Sequence, residues 1–143
     1  MSWVQLVQSV CIAYGGHALP EQILSVEKEF GVEKTLILSM IYQESRCKAD
    51  AMGASGDTGL MQIIPKWHQA RIEDLGVSNL LDPLDNMRVG ASLLSYLGVN
   101  DNPTDALVVY NGGYARPLAS YTYANKVLDR KAEYDERLEA WLP

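Results

Sequence analysis

The stretch EKTLILSMIYQE, residues 33–44, decides the fold of this chain. Ile37, Met40, Ile41 and Glu44 fall at i, i+3, i+4 and i+7, the spacing of one helical face. Leu36, Ile37 and Leu38 in succession make the same segment apolar on more than one side, which predicts the most enclosed helix of the molecule. A carboxylate that extends such a face lies against apolar surface. Desolvation then favours its neutral form and raises its pKa. A carboxylic acid that keeps its proton near neutral pH is what a general acid needs. The plainer reading of Glu44 is a carboxylate at a helix end, held by Arg46 or by a tyrosine hydroxyl.

Outward from this helix the pattern stays helical. A first helix is predicted over about 3–14, and a second starts near Pro20 and ends at Gly31. A loop of small residues, 46–58, follows the enclosed helix, and residues 60–64 read as a short helix stopped at Pro65. A further short helix ends at Gly76. Asp82-Pro83 and Asn102-Pro103 are helix starts, each a capping side chain followed by proline in the first turn. They predict helices to about Leu97 and Tyr110. Met87, Gly90, Ala91, Leu94 and Leu97 form the stripe of the first of these, with Gly90-Ala91 open to a close backbone approach. A last helix is predicted over about 121–142, and its charged part, 129–139, reads as a solvated face. There is no alternating strand run, repeat or low-complexity linker, so the expectation is one all-α domain over 1–143.

Composition narrows the function classes. The chain has 143 residues, 48% hydrophobic and 21% charged, enough for one domain with a real core. Its net charge of −6 argues against nucleic acid, which needs clustered Lys and Arg. No window reaches the length of a membrane span. Residues 1–13 carry no Lys or Arg, so they lack the basic start of a signal peptide. That suits a phage-borne or lysis-released protein, or part of a longer exported chain. Cys11 and Cys47 fit no zinc pattern. A thiol nucleophile would want a histidine base, and neither His17 nor His68 sits in such a signature. Free structural thiols are the expectation, with a Cys11–Cys47 bridge as the alternative. There is no His-x-x-x-His and no calcium-loop spacing, so no metal and no cofactor is expected.

Two further clusters stand out, Gly59-Leu60-Met61-Gln62-Ile63 and Tyr110-Asn111-Gly112-Gly113. An acid, a Gly-flanked polar insertion and a Tyr-Asn turn together suggest a sugar-cleaving site. With Gln43-Glu44-Ser45 they resemble, in order and spacing, the soluble lytic transglycosylase family of goose-lysozyme-like type. Asn86 and Gly90 resemble that family's Asn-rich helix start, and the stretch from Tyr123 to Leu128 its closing element. The resemblance covers about 21–130. It implies a lysozyme-like all-α fold with a groove for a peptidoglycan glycan strand, and a muralytic enzyme of the kind found in phages and prophages. A monomer is expected. The family's single acid maps onto Glu44, which protonates the bridging oxygen of the MurNAc–GlcNAc β-1,4 bond. The same carboxylate then works as base on the sugar's 6-hydroxyl and closes a 1,6-anhydro ring.

The resemblance also distributes roles. Gln62 and Tyr110 are expected at the saccharide, Tyr110 with its hydroxyl near Glu44. Met61 is assigned to substrate or core, and Asn111 to substrate or turn. Ser45, Gly59 and Tyr123 are expected to support the site. Many family members carry serine at the position of Gly53, and Ser55 or Thr58 is the candidate to replace that contact. A lysozyme-type hydrolase is the alternative on the same fold and would want a second carboxylate, for which Asp57 is the candidate. Outside enzymes, the alternatives are a silent glycan-binding module and a helical assembly module.

Overall fold

The computed structural model describes residues 1–12, 14 and 18–140. His17 and the expected end of the last helix at Leu142 lie outside them. Seven α-helices are described: α1 Trp3–Val10, α2 Leu19–Phe30, α3 Lys34–Ser45, α4 Gln69–Asp74, α5 Pro83–Tyr96, α6 Pro103–Gly112 and α7 Leu118–Glu139. A single 3-10 turn, Pro65–Trp67, precedes α4. No described helix is long and apolar enough to cross a membrane.

The enclosed helix lies where the sequence places it. Residues Thr35 to Ile41 of α3 are all buried. The helix packs against α2 on one side and α7 on the other. Three contacts give the direction of α7. Thr35 Oγ1 donates to Asp135 Oδ1 at 2.7 Å, Ser39 Oγ to the Val127 carbonyl at 2.7 Å, and Tyr123 Oη to Glu44 Oε2 at 3.4 Å. Numbers rise along α3 as they fall along α7, so the two helices run antiparallel. The second turn of α7 therefore stands beside Glu44. The charged face of α7 carries ion pairs from Lys131 to Glu33 and Asp135, both at 2.8 Å.

Both proline-led starts form as their caps demand. Asp82 Oδ2 accepts from the Asp85 N–H at 2.9 Å, and Asn102 Oδ1 accepts from the Asp105 N–H at 3.1 Å. Three boundaries differ from expectation. The first helix stops at Val10 with Cys11 as its cap, α6 runs on to Gly112, and α7 opens at Leu118, three residues early. Pro117 N-caps α7, and its ring together with Ser120 fills the space that a Cβ on Gly112 would need. Gly112 thus lets the end of α6 meet the start of α7.

Two expectations fail. Residues 60–64 are not a helix. Thr58 and Ile63 exchange backbone hydrogen bonds of 2.8 and 3.0 Å across a tight turn. Gly59 (φ 77°) and Gln62 (φ 52°) both take left-handed backbone, which ends any right-handed helix there. The apolar run is buried by this turn rather than by helical periodicity. Nor are the thiols free: Cys11 and Cys47 form a disulfide with a Cα–Cα distance of 5.4 Å. It ties the end of α1 to the residues just past Glu44. Cys47 and Arg46 both have positive φ, so the chain leaves α3 through two consecutive unfavourable residues that this bridge helps to hold.

Candidate active site

Glu44 sits in the last turn of α3, partly buried. Its pKa is pushed up to about 7, first by burial, and further by the negative charge of Asp57; the Tyr123 hydroxyl opposes both by donating to the carboxylate. Arg46 does not hold it. That guanidinium lies 4.4 Å from the Tyr42 ring centre, and Arg130 approaches the same ring to 4.6 Å. No described Lys, Arg or His pairs with Glu44. The acid therefore keeps its proton close to neutrality with nothing cationic to neutralise it.

This elevation has a thermodynamic consequence. The ordinary value is 4.5, and the folded value is about 7. Below the lower value, folded and unfolded chains both hold the proton. Between the two, only the folded chain does, so stability falls as pH rises through the window. Above pH 7 both are ionised and the full cost, about 3 kcal/mol, remains. Glu44→Gln should match the parent at pH 4 and become progressively more stable than it up to pH 8 in denaturant melts. A constant difference across that range would contradict the elevated acid.

The loop after α3 is built around one side chain. Asn86 of α5 is fully buried. Its Oδ1 accepts from the Met61 N–H at 2.8 Å, and its Nδ2 donates to the carbonyls of Thr58 at 2.7 Å and Leu80 at 2.8 Å. A Cβ on Gly59 would strike Asn86 and the Leu80 carbonyl, so glycine is required there by both space and its φ. Ser45 fastens the loop to α3, its Oγ lying 2.8 Å from the Leu60 carbonyl and 3.0 Å from that of Ile41. In the sequence, Asn86 stands out only through the family resemblance. Its physical signal was available, a polar residue in the buried stripe beside Met87 and Gly90.

The expected site residues divide into those at a surface and those beneath it. Met61 is fully buried and its side chain packs into the space left by Gly90. It is core, which corrects the saccharide contact considered for it, and Gly90 admits a side chain rather than a second backbone. Tyr110 Oη donates to the Met61 carbonyl at 2.8 Å instead of to Glu44. Burial, and then the charge of Glu44, push its pKa well up, so the ring stands within electrostatic reach of the acid. The tyrosine on Glu44 itself is Tyr123, also pushed well up, by burial first and then by Glu44. Tyr123→Phe removes the bond that holds Glu44 down. The alkaline limb of its pH–rate profile is expected to move to higher pH, and a shift to lower pH would contradict this geometry.

Gln62 commits its amide N–H groups to the Ala51 carbonyl at 3.1 Å and the Gly59 carbonyl at 2.9 Å. Its Oε1 has no donor among the described residues and remains the group to receive one from a ligand. Asn111 is exposed, and its Oδ1 accepts from buried Ser120 at 2.7 Å, which leaves its amide N–H groups outward. Ser55 is exposed on the loop, and its N–H donates to Asp57 Oδ1 at 3.2 Å. Thr58 turns inward, Oγ1 donating to the Gly56 carbonyl at 2.9 Å. A Cβ on Gly53 would fall 2.6 Å from Asp57 Oδ1. The Asp57 carboxylate thus occupies the place where a side chain at 53 would begin.

Gln62, Tyr110 and Asn111 also line a cavity of about 690 Å³. Its far walls carry Trp67, Tyr96 and Tyr114, all largely exposed. None of these three lies in a motif, and no spacing in the sequence singles them out.

The family profile described as the transglycosylase SLT domain matches residues 21–133. The chain belongs to this family. Among solved structures, the SLT domain described here is similar to an inactive mutant of the lytic transglycosylase Slt from Pseudomonas aeruginosa. The TM-score is 0.74 at 24% identity, over 86% of this chain and 25% of that one. It is also similar to the 70 kDa soluble lytic transglycosylase from Escherichia coli. There the TM-score is 0.73 at 20% identity, over 82% of this chain and 24% of that one. The SLT domain therefore spans about a quarter of the length of each. The likeness accords with the all-α, lysozyme-like fold.

Proposed function

We propose that this SLT domain cleaves the β-1,4 bond between MurNAc and GlcNAc in peptidoglycan and leaves a 1,6-anhydro-MurNAc end. The observation that carries the reading is Glu44, held near pH 7 without a cationic partner and within electrostatic reach of Tyr110, which lines the cavity. At neutral pH such a group gives and takes a proton with comparable ease. Glu44 first donates its proton to the bridging oxygen, and the bond from that oxygen to the anomeric carbon breaks. The carboxylate left behind faces the positive charge that develops on the sugar. It then removes the proton of the same sugar's 6-hydroxyl, whose oxygen bonds to the anomeric carbon. The acid is regenerated and no water is consumed. Tyr123 orients the carboxylate, and Gln62 and Asn111 offer an acceptor and donors to acetamido or hydroxyl groups. This chemistry places the protein at the bacterial cell wall.

A lysozyme-type hydrolase is the second reading, favoured by Asp57, whose charge reaches Glu44 and whose carboxylate has room only because residue 53 is glycine. Asp57→Asn separates the two. Under the single-acid reading it should retain cleavage of purified peptidoglycan to within roughly tenfold. Its pH–rate limb should move to lower pH, because the charge that raises Glu44 is gone. A loss as deep as that of Glu44→Gln would instead make Asp57 the base that activates water.

A further inference from the structure

The cavity beyond Gln62 and Tyr110 has a cationic lining in an acidic molecule. The chain carries 18 acidic and 12 basic residues, yet no Asp or Glu lines this cavity. Its one guanidinium is Arg71. Arg71 Nη1 donates to Ser92 Oγ at 2.8 Å, and the guanidinium stands 5.2 Å from the Tyr96 ring centre. Its Nε is buried with no acceptor among the described residues. Arg88 and Arg116 are each bound to a carboxylate, whereas no described carboxylate pairs with Arg71. Burial, and then the Arg71 charge, push the neighbouring His68 below its ordinary value, so Arg71 supplies the positive charge there. A planar guanidinium seated on an aromatic face, partly desolvated and without a counter-ion, suits a carboxylate from a ligand. Exposed Trp67 and Tyr114 line the same cavity, with Lys66 4.9 Å and Arg116 5.6 Å from their respective ring centres.

We propose that this cavity takes a carboxylate-bearing substituent of the glycan strand, bound by Arg71 between the Trp67, Tyr96 and Tyr114 rings. The proposal rests on the peptidoglycan reading above. Muramic acid is the sugar that supplies such a group, through its 3-O-lactyl ether, either as the free lactyl carboxylate or as the carboxylates of a stem peptide joined to it. GlcNAc has neither. Arg71 would thereby distinguish a muramyl strand from an uncharged chitin-like one.

The test is binding to the Glu44→Gln chain by calorimetry, so that no turnover intervenes. Three ligands are compared: chitotetraose, a peptide-free tetrasaccharide of alternating GlcNAc and MurNAc, and the same tetrasaccharide bearing stem peptides. Adding Arg71→Gln should weaken binding of a muramyl ligand roughly tenfold and leave chitotetraose within about twofold. Loss already present with the peptide-free ligand assigns the lactyl carboxylate, and loss confined to the peptide-bearing one assigns the peptide. An equal change for all three ligands, or none, overturns the proposal. Should Arg71→Gln fail to fold, salt titration of the Glu44→Gln chain decides. Its preference for muramyl ligands over chitotetraose should shrink as ionic strength rises, and a preference that is absent or indifferent to salt overturns the proposal. If the unmutated chain leaves peptidoglycan intact while the preference holds, the cleavage reading fails and the cavity assignment stands.

Discussion

Glu44→Gln is expected to lower cleavage of purified peptidoglycan by about three orders of magnitude while the protein stays folded. The amide keeps the size and the hydrogen-bonding capacity of the acid, so the Tyr123 contact survives. It cannot give up a proton to the bridging oxygen or recover one from a hydroxyl, so both halves of the reaction stop together. Binding of an uncleaved glycan strand should persist. The stability of the variant at pH 8 should exceed that of the parent, because the charged form of Glu44 is the one that burial disfavours. The combination matters more than either result. An inactive variant that is also less stable would describe a structural carboxylate, and substantial residual turnover would remove Glu44 from the chemistry.

The second large effect is expected at Asn86, which touches no substrate. Asn86→Ala leaves the Met61 N–H and the carbonyls of Thr58 and Leu80 without the partner that now satisfies them. Each buried polar group so orphaned costs on the order of 1–3 kcal/mol. A loss of roughly 3–4 kcal/mol should lower Tm by about 10 °C in a domain of this size. Cleavage should fall as well, since the turn that presents Gln62 and seats the Tyr110 hydroxyl on the Met61 carbonyl depends on this side chain. A drop in Tm of less than about 3 °C would mean that the loop is held elsewhere.

Much of the fold was legible because its signals are local. The apolar run through α3, and the Asp82-Pro83 and Asn102-Pro103 starts, act within one or two turns of chain, and each forms close to its expected place. The anomalous acid was legible too, because an i, i+7 continuation of a buried face predicts desolvation before any tertiary contact is known. What escaped was set by contacts between distant segments. The run Leu60 to Ile64 has the composition of a helix, but Asn86 and two left-handed residues shape it into a turn. The disulfide needs α1 to end beside the exit of α3, which no spacing between Cys11 and Cys47 reveals. The Tyr110 hydroxyl misses its expected place near Glu44 for the same reason, and Tyr123 makes that contact. The antiparallel register of α7 on α3 brings Tyr123 to Glu44, and the turn draws the Tyr110 hydroxyl to a carbonyl. Arg71 and the aromatic walls of the cavity come from α4, the turn before it, α5 and the loop after α6, and meet only in the folded chain.

One carboxylate serving as acid and then as base leaves a direct record in the reaction products. Purified peptidoglycan digested with the protein should yield muropeptides ending in 1,6-anhydro-MurNAc, one water lighter by mass spectrometry than the corresponding reducing ends. Reducing ends as the primary product would contradict the account, because they require a water molecule at the anomeric carbon and a second group to activate it.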